Sequence, residues 1–593
     1  MNKIGLFLSG FFLIATACAS SGDEYMKKFQ AYQQWSQNLP TYPDQEFIAF
    51  IESNTPLAQK LREKWLYQLA RDKNWGAYAL YYRPSKDVSL QCYSLIALYQ
   101  ANKIQEVLHA VQPVWLTGDS QPPACDALFT LLLKDNLLAE NLITQRIILA
   151  LENRNVSLAR YLIKQYKSVN PQTLQLLDEV QRNPANIKRL EAGKLHDDFY
   201  LYGLKRLVSS NMDLAISYWH EEKTQRLLSE QKKQSFLTHI AIYKAMRNHE
   251  DAPQWFAMIK PQYYSDALLD WQIRFALKQQ KWQEVERLIY LSPNKTNPAW
   301  QYWLARSLEA QGEQEYAHPI YNEVAKTRNY YGFLASLRLR KNFTFLNEPA
   351  SMDTRVLVPY QPFLEQIKAL YAANQTAQAS RLLNDFVSEL PRADKSALIY
   401  WLSNELRWHA KALYLSNNEE LNNQLSLRFP LAYQHTISYH AKSYRIPPEF
   451  IYAIIRQEST FHEDVISPAG AYGLMQILPS TAKMMAKDRK IAYQDKQQLF
   501  SPQQNINIGT AYLKHLAERF KHPLLMAAAY NAGPRQVVHW LNTHPPKQID
   551  IWIETLPWQE TRNYLKNVIS FYAVYQYRMN AKPNINEFFK PFN

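Results

Sequence analysis

The chain has 13 glycines and 31 prolines in 593 residues. A β-sandwich or a doubly wound nucleotide fold needs glycine in its tight turns and phosphate loops, so both are disfavoured. Helices joined by proline-punctuated turns need far less of it. From about residue 25 to residue 340 apolar residues recur at helical spacing, in stretches of about ten to fifteen residues, and strand-like alternation is nearly absent. The sequence therefore predicts an all-α chain. Trp271-x-x-Arg274 recurs as Trp303-x-x-Arg306, an offset of 32 residues. Each copy is followed by a polar turn, Gln279-Gln280-Lys281 and Gln311-Gly312-Glu313, and then by a second helical stretch. A period in the low thirties with paired helices predicts an α-solenoid. Such an array is a scaffold or a binding surface and carries no chemistry by itself.

Helical patterning lapses over residues 343–362, and short helical stretches follow over 363–417. The expected division is a signal segment at 1–19, a helical superhelix at 20–345, a linker with a small helical domain at 346–427, and a separate unit at 428–593. The signal reading rests on Lys3, the apolar run from Ile4 to Ile14, and the small residues Ala15-Thr16-Ala17-Cys18-Ala19. Cleavage after Ala19 would leave a soluble exported protein. Cleavage before Cys18 would leave a lipid-anchored cysteine, the second reading, because a lipoprotein signal prefers Leu where Ala15 stands. No stretch is long and apolar enough for a transmembrane helix. Downstream, Cys92 and Cys125 lie 33 residues apart. In an oxidising compartment they can pair, and two buried free thiols are the alternative. There is no C-x-x-C, and no metal or cofactor is expected. The net charge of +14 favours an acidic partner, but Lys and Arg are dispersed and form no nucleic-acid tract.

The chemistry concentrates near the C-terminus. Ile446-Pro447-Pro448-Glu449 starts a helix, with Pro448 in the first turn. Its apolar stripe runs through Ile451, Ile454 and Ile455, and the next position on it is Glu458. A carboxyl on a core-facing stripe is poorly solvated, which raises its pKa and suits a general acid. The plainer reading pairs Glu458 with Arg456. The surrounding residues favour the acid. They are Arg456-Gln457-Glu458-Ser459, Ser467-Pro468-x-Gly470-Ala471-x-Gly473-Leu474-Met475-Gln476, Asn505-Ile506-x-x-Gly509-x-x-Tyr512-Leu513, Ala529-Tyr530-Asn531-Ala532-Gly533 and Glu560-Thr561-Arg562-x-Tyr564. Between them, Ser501-Pro502-Gln503-Gln504 reads as a capping box that opens a helix through Phe520. Gly533 reads as a helix C-cap.

These ordered motifs resemble the soluble lytic murein transglycosylases of Gram-negative bacteria, with their goose-lysozyme-like catalytic domain. The resemblance implies a helical superhelix, a small linker domain, a C-terminal catalytic domain and an N-terminal disulfide, here Cys92–Cys125. In that family the helical part closes into a ring, which the repeat period alone does not establish. The implied roles are Glu458 as single acid/base, Ser467 and Gln476 on the N-acetyl sugar, Tyr530 on muramic acid, with Asn531 beside it, and Glu560 and Tyr564 lining the groove. Ser467, Tyr530 and Asn531 read equally as turn and cap residues, and the two roles are compatible. One departure is Ile477-Leu478 where the family often has Ile-Met.

Ordinary glycosidases use two carboxylates, whereas this region offers one well-placed glutamate. The resemblance implies cleavage of the β-1,4 bond between N-acetylmuramic acid and N-acetylglucosamine, with a 1,6-anhydro end and no water consumed. A lysozyme-type hydrolase using Asp464 and a non-catalytic glycan-binding scaffold are the alternatives. The implied partner is the glycan strand of peptidoglycan, with other cell-wall enzymes as candidates. The implied site of action is the periplasm, and the expected state is a monomer without nucleic acid.

Overall fold

A computed structural model describes residues 7–165, 172–543, 545–546 and 548–592, with side chains described from residue 22 onward. The cleavage region at Ala19 and Cys18 thus lies outside the described side chains. The fold is all-α. Two isolated bridges, Ile466 to Tyr472 and Tyr472 to Ile477, are the sole β pairing among the described residues. None of the described helices is long and apolar enough to cross a membrane.

The chain forms two compact units, Met1–Tyr243 with Asp251–Tyr263, and Lys244–Glu250 with Tyr264–Asn593. In the first, consecutive helices pack as pairs: Pro56–Arg71 on Trp75–Tyr81, Glu140–Glu152 on Val156–Lys164, and His196–Ser210 on Met212–His220. Their turns show how a glycine-poor chain reverses direction. In several of these turns the chain leaves the helix through one residue at positive φ, as at Lys73, Asn102, Asn136 and Arg154. After Lys73 and Arg154 a cap for the next helix follows at once. Asn74 Oδ1 accepts from Ala77 N at 3.3 Å, and Asn155 Oδ1 accepts from Leu158 N at 3.2 Å. Left-handed backbone on a non-glycine residue costs roughly 1–2 kcal/mol, least for Asn, and helix pairing offsets it. Cys92 and Cys125 join Val88–Gln100 to Pro123–Lys134 through a disulfide with Cα atoms 5.0 Å apart.

The second unit opens with the two Trp-x-x-Arg repeats. Asp266–Lys278 pairs with Trp282–Leu291, and Pro298–Ala310 with Gln314–Val324. The break expected near residue 345 therefore falls inside this compact unit. Four short helices over residues 361–416 follow. The C-terminal part is built from α1 (Gln434–Tyr444), α2 (Pro448–Glu458), α3 (Pro479–Arg489), α4 (Pro502–Phe520), α5 (Pro523–Ala532), α6 (Pro534–Thr543), α7 (Ile549–Thr555) and α8 (Gln559–Arg578). Helix α2 is central. Phe450 to Ile455 are all buried, so it is enclosed on every side rather than along one stripe. Its broadest packing partner is α8, while α4 packs on α1, α3 and α5.

Pro502 and Phe520 bound α4 as expected, but the capping box does not form. Ser501 Oγ donates to Gln503 Oε1 at 3.2 Å, and Gln504 Nε2 donates to the Ala492 carbonyl. The Ser501 N–H that Gln504 would serve in such a box donates instead to the Gln498 carbonyl at 3.1 Å. Gly533 does end α5, at φ +86°.

Candidate active site

Glu458 is the last residue of α2, and the chain then reverses sharply. Thr460 and Phe461 both take positive φ, 50° and 66°. This strained pair is held by the buried Phe461 ring and by Ser459, whose Oγ donates to the Leu474 carbonyl at 2.7 Å. The reversal lays residues 462–478 across the end of α2.

That loop is fastened from below by Asn505 on α4, which is fully buried. Its Oδ1 accepts from Met475 N at 2.8 Å, and its Nδ2 donates to the carbonyls of Tyr472 and Leu499 at 2.9 and 2.7 Å. Two glycines permit the approach. A Cβ on Gly509 would lie 2.4 Å from Met475 Sδ. Gly473 sits at φ +71°, and a Cβ there would lie 2.3 Å from the Leu499 carbonyl. From the far side Tyr530 Oη donates to the Met475 carbonyl at 2.7 Å. Asn505 was not assigned a role from sequence. Its signal was a polar residue on the buried face of α4, one helical turn before Gly509.

Glu458 Oε1 accepts a hydrogen bond from Tyr564 Oη at 2.7 Å. Burial pushes the Glu458 carboxyl up to about 7, the Tyr564 bond opposes that rise, and the Glu560 charge adds to it. Glu458 as a whole is half-buried. Arg456 does not pair with it. Its guanidinium lies over the Phe429 and Phe571 rings and donates to the Arg428 carbonyl at 3.3 Å.

The remaining candidates divide. Tyr530 and Tyr564 are within electrostatic reach of Glu458. Glu560 is exposed on the first turn of α8. Asn531 Oδ1 accepts from Thr561 Oγ1 at 2.9 Å and ties α5 to α8. Ser467 Oγ accepts from Ala471 N at 3.0 Å inside its turn, and its hydroxyl hydrogen remains to donate. Gln476, at φ 49°, spends its Nε2 on the Gly473 and Val465 carbonyls at 2.9 and 3.3 Å. Asp464 is not among the groups that shift the Glu458 carboxyl. It is exposed, with His462 Nδ1 3.9 Å away holding its carboxyl below the usual range. Among the described residues no cluster of His, Cys, Asp and Glu could hold a metal.

The transglycosylase SLT domain family matches residues 435–553, which run from α1 into α7. The soluble lytic murein transglycosylase of Escherichia coli K12 is 27% identical over 573 residues, covering 93% of this chain and 88% of the relative. The likeness extends to the architecture. An inactive mutant of lytic transglycosylase Slt from Pseudomonas aeruginosa superposes with a TM-score of 0.79 at 28% identity, over 98% of this chain and 96% of the other. The chain carries a transglycosylase SLT domain and is similar over nearly its whole length to the soluble lytic murein transglycosylases. The 70 kDa soluble lytic transglycosylase from E. coli aligns with this transglycosylase at a TM-score of 0.73 and 25% identity, over 96% and 94% of the two chains. The transglycosylase thus shares full-length architecture with these enzymes, and its lysozyme-like part carries the buried glutamate.

Proposed function

We propose that the protein cleaves the β-1,4 bond between N-acetylmuramic acid and N-acetylglucosamine in peptidoglycan and leaves a 1,6-anhydromuramic end. Glu458 acts first as acid and then as base. The observation that carries this reading is a protonatable Glu458 whose hydrogen-bond partner is the Tyr564 phenol. Because Tyr564 donates to Oε1, the acid proton resides on Oε2 and is delivered from there to the leaving oxygen. The N-acetyl carbonyl of the muramic residue supplies the nucleophile that a second carboxylate provides in a retaining glycosidase. The resulting Glu458 carboxylate takes the proton of the C6 hydroxyl, which closes on C1. No water is consumed. Asp464 is held ionised beside His462, away from the electrostatic surroundings of Glu458, which argues against the two-carboxylate alternative.

Ser467 and Gln476 hold the N-acetyl sugar through the hydroxyl hydrogen and amide oxygen left over from their turn bonds. Tyr530 and Asn531 form the muramic side, with Glu560 at the groove rim. The catalytic unit is residues 428–593, and the chain acts as a monomer in the periplasm.

The test is the product's end group. Purified glycan strands are digested, reduced with borohydride and weighed. Anhydro ends gain no hydrogen, and the fragments are one water lighter than lysozyme products. Fragments that mostly gain hydrogen would establish a hydrolase. Glu458→Gln is expected to abolish clearing of cell-wall sacculi while the chain stays folded. Activity above about a tenth of wild type would reassign the acid.

A further inference from the structure

Helix α8 carries Tyr564, and what fixes α8 lies outside the motifs that recognise sugar. Glu554, on α7, is 1% exposed. Its Oε2 accepts from Lys566 Nζ at 2.8 Å, Tyr331 Oη at 2.7 Å and Trp303 Nε1 at 3.2 Å. Arg274 Nε lies 3.3 Å from Oε1, close enough for an ion pair but off the hydrogen-bond direction. Lys566 also donates to Tyr331 Oη at 2.6 Å. Two residues before Tyr564, Arg562 lies over the Trp271 ring and donates to the Leu556 carbonyl. The two arginines of the 32-residue repeat therefore have matched partners. Arg274 meets Glu554, and Arg306 Nε lies 3.5 Å from Asp550, one helical turn earlier on α7.

On α8, residue 562 is held by Trp271, residue 564 reaches Glu458, and residue 566 is held by Glu554 and Tyr331. Residues 562 and 566 share one face of the helix and residue 564 lies on the opposite side, so these contacts hold α8 from both sides and fix its rotation about its own axis. We propose that Glu554, gripped by Arg274 and Trp303 of the repeats and by Tyr331 on the helix that follows them, is a positioning residue that sets the Tyr564–Glu458 hydrogen bond and thereby the protonation of the acid. Glu554 touches no substrate and acts only through Lys566 and the set of α8. The inference rests on Glu458 being the acid.

A neutral residue at 554 would leave Arg274, Arg562 and Lys566 crowded around one anion fewer, with Asp270 still 3.3 Å from Arg274 Nη1, and α8 would turn to separate them. The Tyr564 bond favours the carboxylate form of Glu458. Losing it raises the pH at which the acid is lost. The other groups within reach of that carboxyl, Tyr530 on α5 and Glu560 on α8, do not compensate. Removing the phenol by Tyr564→Phe should move the alkaline limb of the kcat profile upward by about half a unit to one unit.

In the full chain, Glu554→Gln is expected to give the same shift. Its kcat should fall by about ten- to a hundredfold, with KM changed less than about twofold. The double variant should shift no further than either single one. Arg274→Gln should shift the limb the same way but less, and Arg274→Lys should recover most of the change. The Arg274 pair also serves if Glu554→Gln fails to fold by circular dichroism. If Tyr564→Phe moves the limb while the folded Glu554 and Arg274 variants do not, the positioning role is wrong and Glu458 remains the acid. Additive shifts in the double variant would also overturn it. If Tyr564→Phe leaves the limb in place, the assignment of Glu458 itself fails.

Discussion

Because Glu458 titrates near 7 when folded and near 4.5 in an ordinary peptide, folding takes up a proton between those values. The unfolded chain then binds fewer protons, so the stability associated with this site is fully present below about 4.5 and is lost as pH rises through about 7. Glu458→Gln is permanently neutral. It is expected to match wild-type stability at pH 4 and to exceed it at pH 8, by about 1–2 kcal/mol for a half-buried residue, with the thermal midpoint rising accordingly. Equal midpoints at pH 8 would mean that the carboxyl is freely hydrated. The rate has the same sign, with turnover falling as pH rises through about 7. The position of Glu458 was legible because it prolongs the line Ile451–Ile454–Ile455. Its partner was not. Tyr564 lies 106 residues downstream, and helical spacing relates only near neighbours. The Arg456 alternative, adjacent in sequence, fails because that guanidinium packs on aromatic faces instead.

Helix α4 sets the loop over the acid through Asn505 and Gly509. Asn505→Ala would orphan the Leu499 carbonyl and the Met475 amide in a closed interior and leave the Tyr472 carbonyl with its Ile477 N–H alone. The expected loss is about 2–4 kcal/mol, read by urea denaturation, with activity lost even where the fold persists. Gly473→Ala should be comparably damaging, because its backbone is left-handed and its open face meets the Leu499 carbonyl. A wild-type urea midpoint for either variant would contradict this account of the loop. The helices themselves were readable from period and punctuation, and Pro448, Pro502 and Gly533 mark real ends. The capping box misled because a residue pattern specifies who can bond, not who is nearer. The Ala492 carbonyl reached Gln504 first.

For the molecule as a whole, the N-terminal unit depends on one covalent tie. Reducing Cys92–Cys125 releases a 33-residue loop into the unfolded ensemble. The expected loss is about 3–4 kcal/mol. Hydrogen exchange should quicken across Val88–Gln100 and Pro123–Lys134. Unchanged exchange there would show that packing alone holds the pair. The all-α class and the repeat were legible from scarce glycine and the 32-residue offset. The division between compact units was not, because charged side chains carry no sign in sequence of what they will face. Arg274 and Arg306 read as solenoid residues and are partners of Glu554 and Asp550. That pairing bears on how such a chain can change length over evolutionary time. A repeat gained or lost before residue 264 leaves both arginines beside their own carboxylates. The same event between the two Trp-x-x-Arg copies would slide the pattern by one repeat and present α7 with the wrong neighbour. Length variation in descendants of this gene should therefore accumulate upstream, with the last two repeats inherited together with the catalytic region as one block.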